Sequence, residues 1–154
     1  MREAAVRSMT AVQRSSTRLT ISVAVNLSIA ALHVLDLRAL LGPEWRPIVG
    51  SYFSDFTLPF AFYFLLCLVD DHAAILRSAV MKASVVFAAS AAAEVLQGAG
   101  VPALGRTFDP FDFLMYAAGV GLAAALDRLV LTRLVPAWPL ASGVPPGDDR
   151  SSAP

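Results

Sequence analysis

The sequence predicts an all-α fold, a polytopic membrane protein built as a bundle of four transmembrane helices with both termini in the cytoplasm. Three observations lead to this prediction. The chain is 56% hydrophobic and only 16% charged, whereas about a quarter of the residues in a soluble domain are charged. The chain contains four separate apolar runs, each close in length to the roughly 17–25 residues that cross a bilayer. The basic residues are also distributed unevenly between the two predicted sides of the membrane.

The basic residues set the predicted orientation. If the N-terminus is cytoplasmic, nine of the 12 lysines and arginines fall on the inner segments, and only Arg38, Arg46 and Arg106 fall on the outer loops. Short loops rich in Lys and Arg stay on the cytoplasmic side. Both termini are therefore expected inside, and the loop that follows Glu94 is expected outside.

The predicted helices divide the chain into three parts. A polar cytoplasmic segment, residues 1–18, precedes a four-helix membrane domain, residues 19–135. Residues 136–154 are rich in Ser, Gly, Pro and Asp and are expected to form a disordered cytoplasmic tail. The four helices are expected to cover about residues 19–41, 52–70, 75–98 and 109–134.

The first two helices have the most apolar sequences. The loop between them, residues 41–52, contains two glycines and two prolines and is predicted to be too broken for a helix. Helix two then begins near Asp55. This residue is either an N-terminal cap or a member of a polar cluster at the outer end of the bundle.

The third predicted helix carries charges inside an apolar run. From Lys82 to Glu94 the helix rises about 18 Å, against a hydrocarbon core of about 30 Å. If Lys82 extends to the inner headgroups, Glu94 lies within or at the edge of the apolar layer, where a carboxylate needs a partner. Ser90, Glu94 and Gln97 share one face. We expect that face to point into the bundle and the third helix to be its central, buried helix.

The fourth predicted helix has a well-defined start. Asp109 suits the N-cap, Pro110 the first helical position and Asp112 the third, near the positive end of the helix dipole. Further along, small residues recur every four positions and are expected to pack against the alanines of helix three; they are Ala117, Gly121 and Ala125. Trp138 is expected at the membrane interface.

One pattern joins the third and fourth helices. It reads E-x2-Q, a short turn, then R-x2-D-x2-D, and its members are Glu94, Gln97, Arg106, Asp109 and Asp112. With Gly119 further along, this pattern resembles that of the VanZ-like family of small bacterial membrane proteins. The family typically has Asn where this chain has Tyr116. The resemblance implies a cell-envelope role in the bacterial inner membrane. The family is named for an accessory protein of teicoplanin-type glycopeptide resistance, and the resemblance carries no chemical mechanism with it.

Three functions are compatible with this pattern. The outward polar residues, with Asp55, form a pocket for a lipid headgroup, a cell-wall precursor or a lipoglycopeptide. Alternatively, Glu94, Asp109 and Asp112 act as acid, base or Mg²⁺ ligands in an enzyme with a lipid-linked substrate. In the third hypothesis, Arg106 pairs with Glu94 in a purely structural network.

The other expectations concern partners and cofactors. No nucleophile motif is visible, which favours a protein that is not an enzyme. Membrane lipids are the expected partners, and no cofactor or bound metal is expected. The net charge of zero gives no basic signal for nucleic acid. The single cysteine, Cys67, excludes an intramolecular disulfide.

Overall fold

The computed structural model describes residues 2–35, 41–69, 72–101 and 109–138, with side chains from residue 12 onward. All regular structure in these ranges is helical. Four helices are long and apolar enough to cross a membrane, namely Val12–Val34, Arg46–Val69, Ala79–Gly98 and Pro110–Leu134. The structure thus confirms an all-helical fold with four candidate spans and indicates a multi-pass membrane protein. The orientation of the termini stays a prediction.

The helices follow one another with short connections. Helix α1 covers Arg2–Val34, α2 covers Arg46–Val69, and a short 3-10 helix at Ala74–Arg77 leads into α3 at Ala79–Gly98. Helix α4 covers Pro110–Ala125 and continues through a π-helical turn at Leu126–Leu131 into a last α-helical turn at Thr132–Leu134. The segment predicted as a polar N-terminal region belongs to α1 from Arg2 onward.

The π-helical turn near the end of α4 is held by two hydrogen bonds to one carbonyl. The backbone N–H of Thr132 donates to the carbonyl oxygen of Asp127, five residues earlier. The Thr132 hydroxyl donates to the same oxygen at 2.7 Å. This wider turn determines which way the side chains at the end of α4 point.

Helix α2, rather than α3, is the central helix. It packs against α1, α3 and α4, and most extensively against α4. Gly119 permits the close approach to α4, because a Cβ at this position would overlap the backbone carbonyl oxygen of Phe56. On α3, the buried residues are Ala79, Lys82, Val86 and Glu94. The prediction that α3 is the central, buried helix is therefore wrong.

Helix α1 lies at the edge of the bundle and is attached to α2 by polar contacts. The Asn26 amide donates to the Ala61 carbonyl oxygen at 3.4 Å. The ring of His33 shares a hydrogen bond of 3.0 Å with the Thr57 hydroxyl and packs beside Phe53. These contacts fix α1 against α2 inside an apolar layer, where polar groups need protein partners.

The start of α2 lies earlier than the sequence predicted. The helix begins at Arg46, within the segment that was expected to be a broken loop. Pro47 is compatible with this start because the N–H groups of a first helical turn have no intrahelical acceptor, so its missing donor costs nothing. Asp55 therefore lies in the third turn of α2, and its interpretation as an N-terminal cap is wrong.

The small residues of α4 do not form the predicted packing face. Ala117 and Gly121 are exposed, and a Cβ at Gly121 would have no neighbour within 4 Å. Helix α4 instead buries Tyr116, Gly119 and Val120 and, about one turn later, Ala123. Spacing alone could not choose between the faces, because lipid tails solvate an apolar residue as well as another helix does.

Trp138 is buried within the bundle. Its side chain is only 2% exposed and belongs to the apolar core with Tyr63 and Phe64. The prediction of an interfacial Trp138 is wrong, and the segment predicted as a disordered tail contributes this residue to the core. The remainder of that segment, residues 139–154, lies outside the described residues.

Candidate functional site

A polar cavity of about 560 Å³ opens at the end of the bundle where α2 and α4 begin and α3 ends. All three helices contribute both polar and apolar residues to its wall. Its lining residues are Ser51, Tyr52, Ser54, Asp55, Leu58, Pro59, Phe62, Ser90, Ala93, Glu94, Gln97, Asp109, Asp112 and Tyr116. We call this space the polar cavity.

The end of α3 places two of these residues. Gly100 adopts a φ of 80°, a left-handed conformation that glycine adopts without steric cost. Its N–H donates to the Gln97 carbonyl oxygen, and the N–H of Val101 donates to that of Leu96, both at 2.9 Å. This pair of bonds is a Schellman motif, which ends the helix abruptly. Glu94 and Gln97 consequently occupy the last turns of α3, on the side of the cavity.

The start of α4 places the next acid, Asp109. The Asp109 carboxylate accepts a hydrogen bond at 2.9 Å from the N–H of Phe111, and Pro110 occupies the first helical position. The structure thus confirms the predicted N-cap. The second oxygen of Asp109 accepts a hydrogen bond at 3.2 Å from the Tyr52 hydroxyl, which connects the beginning of α4 to that of α2.

Glu94 connects the end of α3 to α4. Its side chain is 1% exposed. One oxygen accepts the backbone N–H of Asp109 at 2.7 Å, and the other accepts the Tyr116 hydroxyl at 3.3 Å. A buried carboxylate requires such donors. Tyr116 therefore supplies a hydrogen bond to Glu94 from within α4.

Asp55 of α2 and Asp112 of α4 line the same cavity and interact electrostatically with each other. A hydrogen bond between two carboxyl groups requires one proton, because an ionised carboxylate can only accept. Without that proton the pair needs a cationic or hydrogen-bond-donating group from elsewhere. This site on the cavity wall is therefore suited to an ammonium or hydroxyl group of a ligand.

The structure brings most of the predicted site residues together. Asp55, Glu94, Gln97, Asp109 and Asp112 all line the polar cavity. Arg106 lies outside the described residues, so its pairing with Glu94 stays a prediction. Within the described ranges, no group of three or more His, Cys, Asp or Glu side chains is arranged to hold a metal ion.

Sequence reasoning missed a second polar cluster at the other end of the bundle. Lys82 of α3 is 3% exposed, and its Nζ lies 3.1 Å from Oδ2 of Asp127. The same carboxylate accepts the Tyr63 hydroxyl at 2.5 Å and the Trp138 indole N–H at 2.7 Å. Lys82 also donates to the sulfur of Cys67 at 3.2 Å. These five residues form what we call the buried cluster, and the prediction that Lys82 extends to the headgroups is wrong.

The buried cluster extends to α1 through Trp138. The guanidinium of Arg18, which is 4% exposed, lies 5.5 Å from the centre of the Trp138 ring. A signal for this cluster was present in the sequence. Lys82 lies near the start of α3 and Asp127 near the end of α4, so antiparallel helices place the two opposite charges at one level. Ionisable residues inside membrane spans are normally paired in this way.

The two polar regions lie at opposite ends of α3 and differ in what they can do. In the buried cluster each charge is enclosed and paired, which suits a structural role. In the polar cavity, acids and hydroxyl groups surround a space large enough for a ligand. The chain was compared with protein-family models, curated proteins and solved structures, and nothing matches it.

Proposed function

We propose that this chain is a VanZ-like membrane protein of the bacterial cell envelope that binds a polar headgroup in the polar cavity. The headgroup belongs to a membrane lipid, a cell-wall precursor or a lipoglycopeptide. One observation carries the proposal. Four described members of the E-x2-Q…D-x2-D pattern, which come from two helices, line a single cavity together with Asp55 from a third helix.

The cavity has the composition of a binding site for an amphipathic molecule. Its lining includes Leu58, Pro59 and Phe62, which offer apolar contact, together with acids and hydroxyl groups. Ligand pockets commonly combine an apolar surface with a few polar groups that fix the orientation of the ligand. A molecule with one apolar part and a polar head matches both features.

The acids of the cavity divide into two groups. The oxygens of Glu94 and Asp109 accept hydrogen bonds from α2 and α4 and hold the wall together. Asp55 and Asp112 line the cavity from α2 and α4 and interact with each other electrostatically. They are the residues that would receive an amine or a sugar hydroxyl of the headgroup, because carboxylates form strong bonds with such donors. In this proposal the cavity opens to the outside of the inner membrane, as the distribution of basic residues predicts.

One observation favours an enzyme as the second candidate. Two carboxyl groups line one cavity from neighbouring helices, as in the acid pairs of hydrolytic enzymes, in which one group acts as acid and the other as base. Asp55 and Asp112 would take these roles on a lipid-linked substrate held against the apolar residues of the cavity. This candidate requires turnover, which distinguishes it from binding.

Binding is tested with the full chain purified in a mild detergent. Native mass spectrometry identifies retained molecules, and thermal unfolding is followed with three added probes: phosphatidylethanolamine, an undecaprenyl-linked cell-wall precursor and teicoplanin. A ligand at a hundred times its Kd stabilises the folded state by about 2.7 kcal/mol. We expect at least one probe to raise the melting temperature, and Asp112→Asn to abolish that rise.

Glu44→Gln provides the matched control. Glu44 is an exposed acid shortly before α2 that does not line the cavity, so its substitution should leave the ligand effect unchanged. Absence of any retained molecule and of any probe effect would refute the binding proposal. Conversion of the precursor to a product, lost in Asp55→Asn and Asp112→Asn, would establish the enzyme instead.

A further inference from the structure

A groove of small residues lies between α3 and α4, at the end of the bundle opposite the polar cavity. Its volume is about 350 Å³, at the lower end of the range that small-molecule pockets occupy. The start of α3 forms one wall and the end of α4 the other. Its lining includes Ala79, Ala83, Ser84, Ala124 and Arg128. We call this feature the alanine groove.

Arg128 is the charged residue of the groove. Its side chain is exposed. The neighbouring acid, Asp127, does not neutralise it, because the Asp127 carboxylate points into the bundle toward Lys82, Tyr63 and Trp138. Among the described residues, no carboxylate forms a salt bridge with Arg128. Within the described part of the chain, the groove therefore combines an apolar channel with one positive charge that no carboxylate pairs.

The position of the groove determines what can occupy it. Arg128 lies six residues before the end of the candidate span Pro110–Leu134, which corresponds to about 9 Å of helix. Its long side chain can reach the headgroup level while its stem stays among apolar groups. Basic pockets between transmembrane helices bind the headgroups of anionic lipids.

We propose that the alanine groove binds one anionic phospholipid. An acyl chain lies along Ala79, Ala83 and Ala124, whose small side chains leave room for it between the helices. The phosphate pairs with the guanidinium of Arg128, which can hold two phosphate oxygens at once. A second copy of this chain fits the groove less well, because it would have to bury the same charge. The inference is independent of the proposed function and concerns the other end of the molecule.

The charge in this proposal is tested by lipid selectivity. The full chain, delipidated in neutral detergent, is titrated with phosphatidylglycerol and phosphatidylcholine of identical acyl chains, and bound lipid is counted by native mass spectrometry. One Arg near the membrane surface should favour the anionic lipid by about fivefold. We expect Arg128→Gln to remove this preference. Arg133→Gln should retain it, because Arg133 is exposed at the same end of the bundle but does not line the groove.

The apolar part of the site is tested by filling the groove. Ser84→Leu places a larger side chain in the channel and should weaken binding of both lipids. Ala88→Leu, one turn further along α3, is exposed outside the groove and should not. Equal binding of the two lipids by the unmodified chain would overturn the proposal, as would an equal loss of preference in Arg133→Gln. Unchanged binding in Ser84→Leu, or occupation of the groove by a second copy without lipid, would also overturn it.

Discussion

Replacement of Gly119 by alanine should separate α2 from α4 and destabilise the bundle. The new Cβ would overlap the carbonyl oxygen of Phe56, because their separation would fall well below 3.0 Å, the shortest distance that Cβ contacts normally show. It would also lie 3.2 Å from the carbonyl carbon of Phe56. The obstacle is backbone, which cannot rotate away as a flexible side chain can. The two helices would have to move apart by roughly 1 Å, in an interior packed as densely as a crystal.

The size of the effect follows from two opposing terms. Overpacking a close contact costs about 1–3 kcal/mol, whereas Ala in place of Gly within a helix contributes up to about 1 kcal/mol. Gly121→Ala isolates the first term. It lies on the same helix, two residues further on, and its Cβ meets nothing within 4 Å. Because the helix-propensity term is common to both variants, their stability difference should be about 1–3 kcal/mol, with Gly121→Ala at least as stable as the unmodified chain.

The measurement is reversible unfolding by sodium dodecyl sulfate from mixed micelles, followed by circular dichroism. Both variants are compared with the unmodified chain at the same protein and lipid concentration. Phe56 is adjacent to Asp55, which lines the polar cavity. The shift of α2 in Gly119→Ala should therefore also weaken ligand binding in that cavity. Equal stability of the two variants would refute the close approach of α2 and α4.

Further predictions address the two polar regions and the orientation. Glu94→Ala should destabilise the chain by about 1–3 kcal/mol because it leaves a backbone N–H without an acceptor, and Glu94→Gln should retain most of the stability in the same unfolding assay; equal losses would contradict this. Lys82→Met should cost about 3–5 kcal/mol, and addition of Asp127→Asn should recover much of it, because a lone buried charge is worse than none; additive losses would show that the two residues do not interact. In a cysteine-free background, cysteine at Ala103 should react with an impermeant thiol reagent from outside the cell and cysteine at Ala73 should not, with the reverse result inverting the orientation.

Features that depend on neighbouring residues could be predicted from the sequence. The start of α4 is an example, since Asp109 and Pro110 act on N–H groups within the same turn. The four apolar spans are also local, because length and hydropathy determine them. The polar cavity followed from the pattern shared by α3 and α4 once these helices were taken as adjacent.

Features that depend on the relative rotation of helices could not be predicted. The alanine-rich faces gave no indication of which side meets protein, since lipid and helix are equally apolar neighbours. The buried position of Lys82 depended on whether the rotation of α3 turns its ammonium group toward Asp127 or toward lipid, although the sequence places the two charges at one level. The start of α2 at Arg46 was missed because proline and glycine were counted as helix breakers without regard to their place in the first turn.

The π-helical turn at Leu126–Leu131 has a consequence for the evolution of the gene. Its hydrogen bonds span five residues instead of four. The turn is therefore equivalent to an α-helix with one extra residue, which corresponds to one inserted codon in the gene. Deletion of one residue in the last α-helical turn, Thr132–Leu134, would rotate the following chain by about 100° and would remove the indole from Asp127. Deletion within the turn would instead restore a regular helix. Deletions of whole codons in this region should therefore be tolerated only where they keep the Trp138 indole within reach of Asp127.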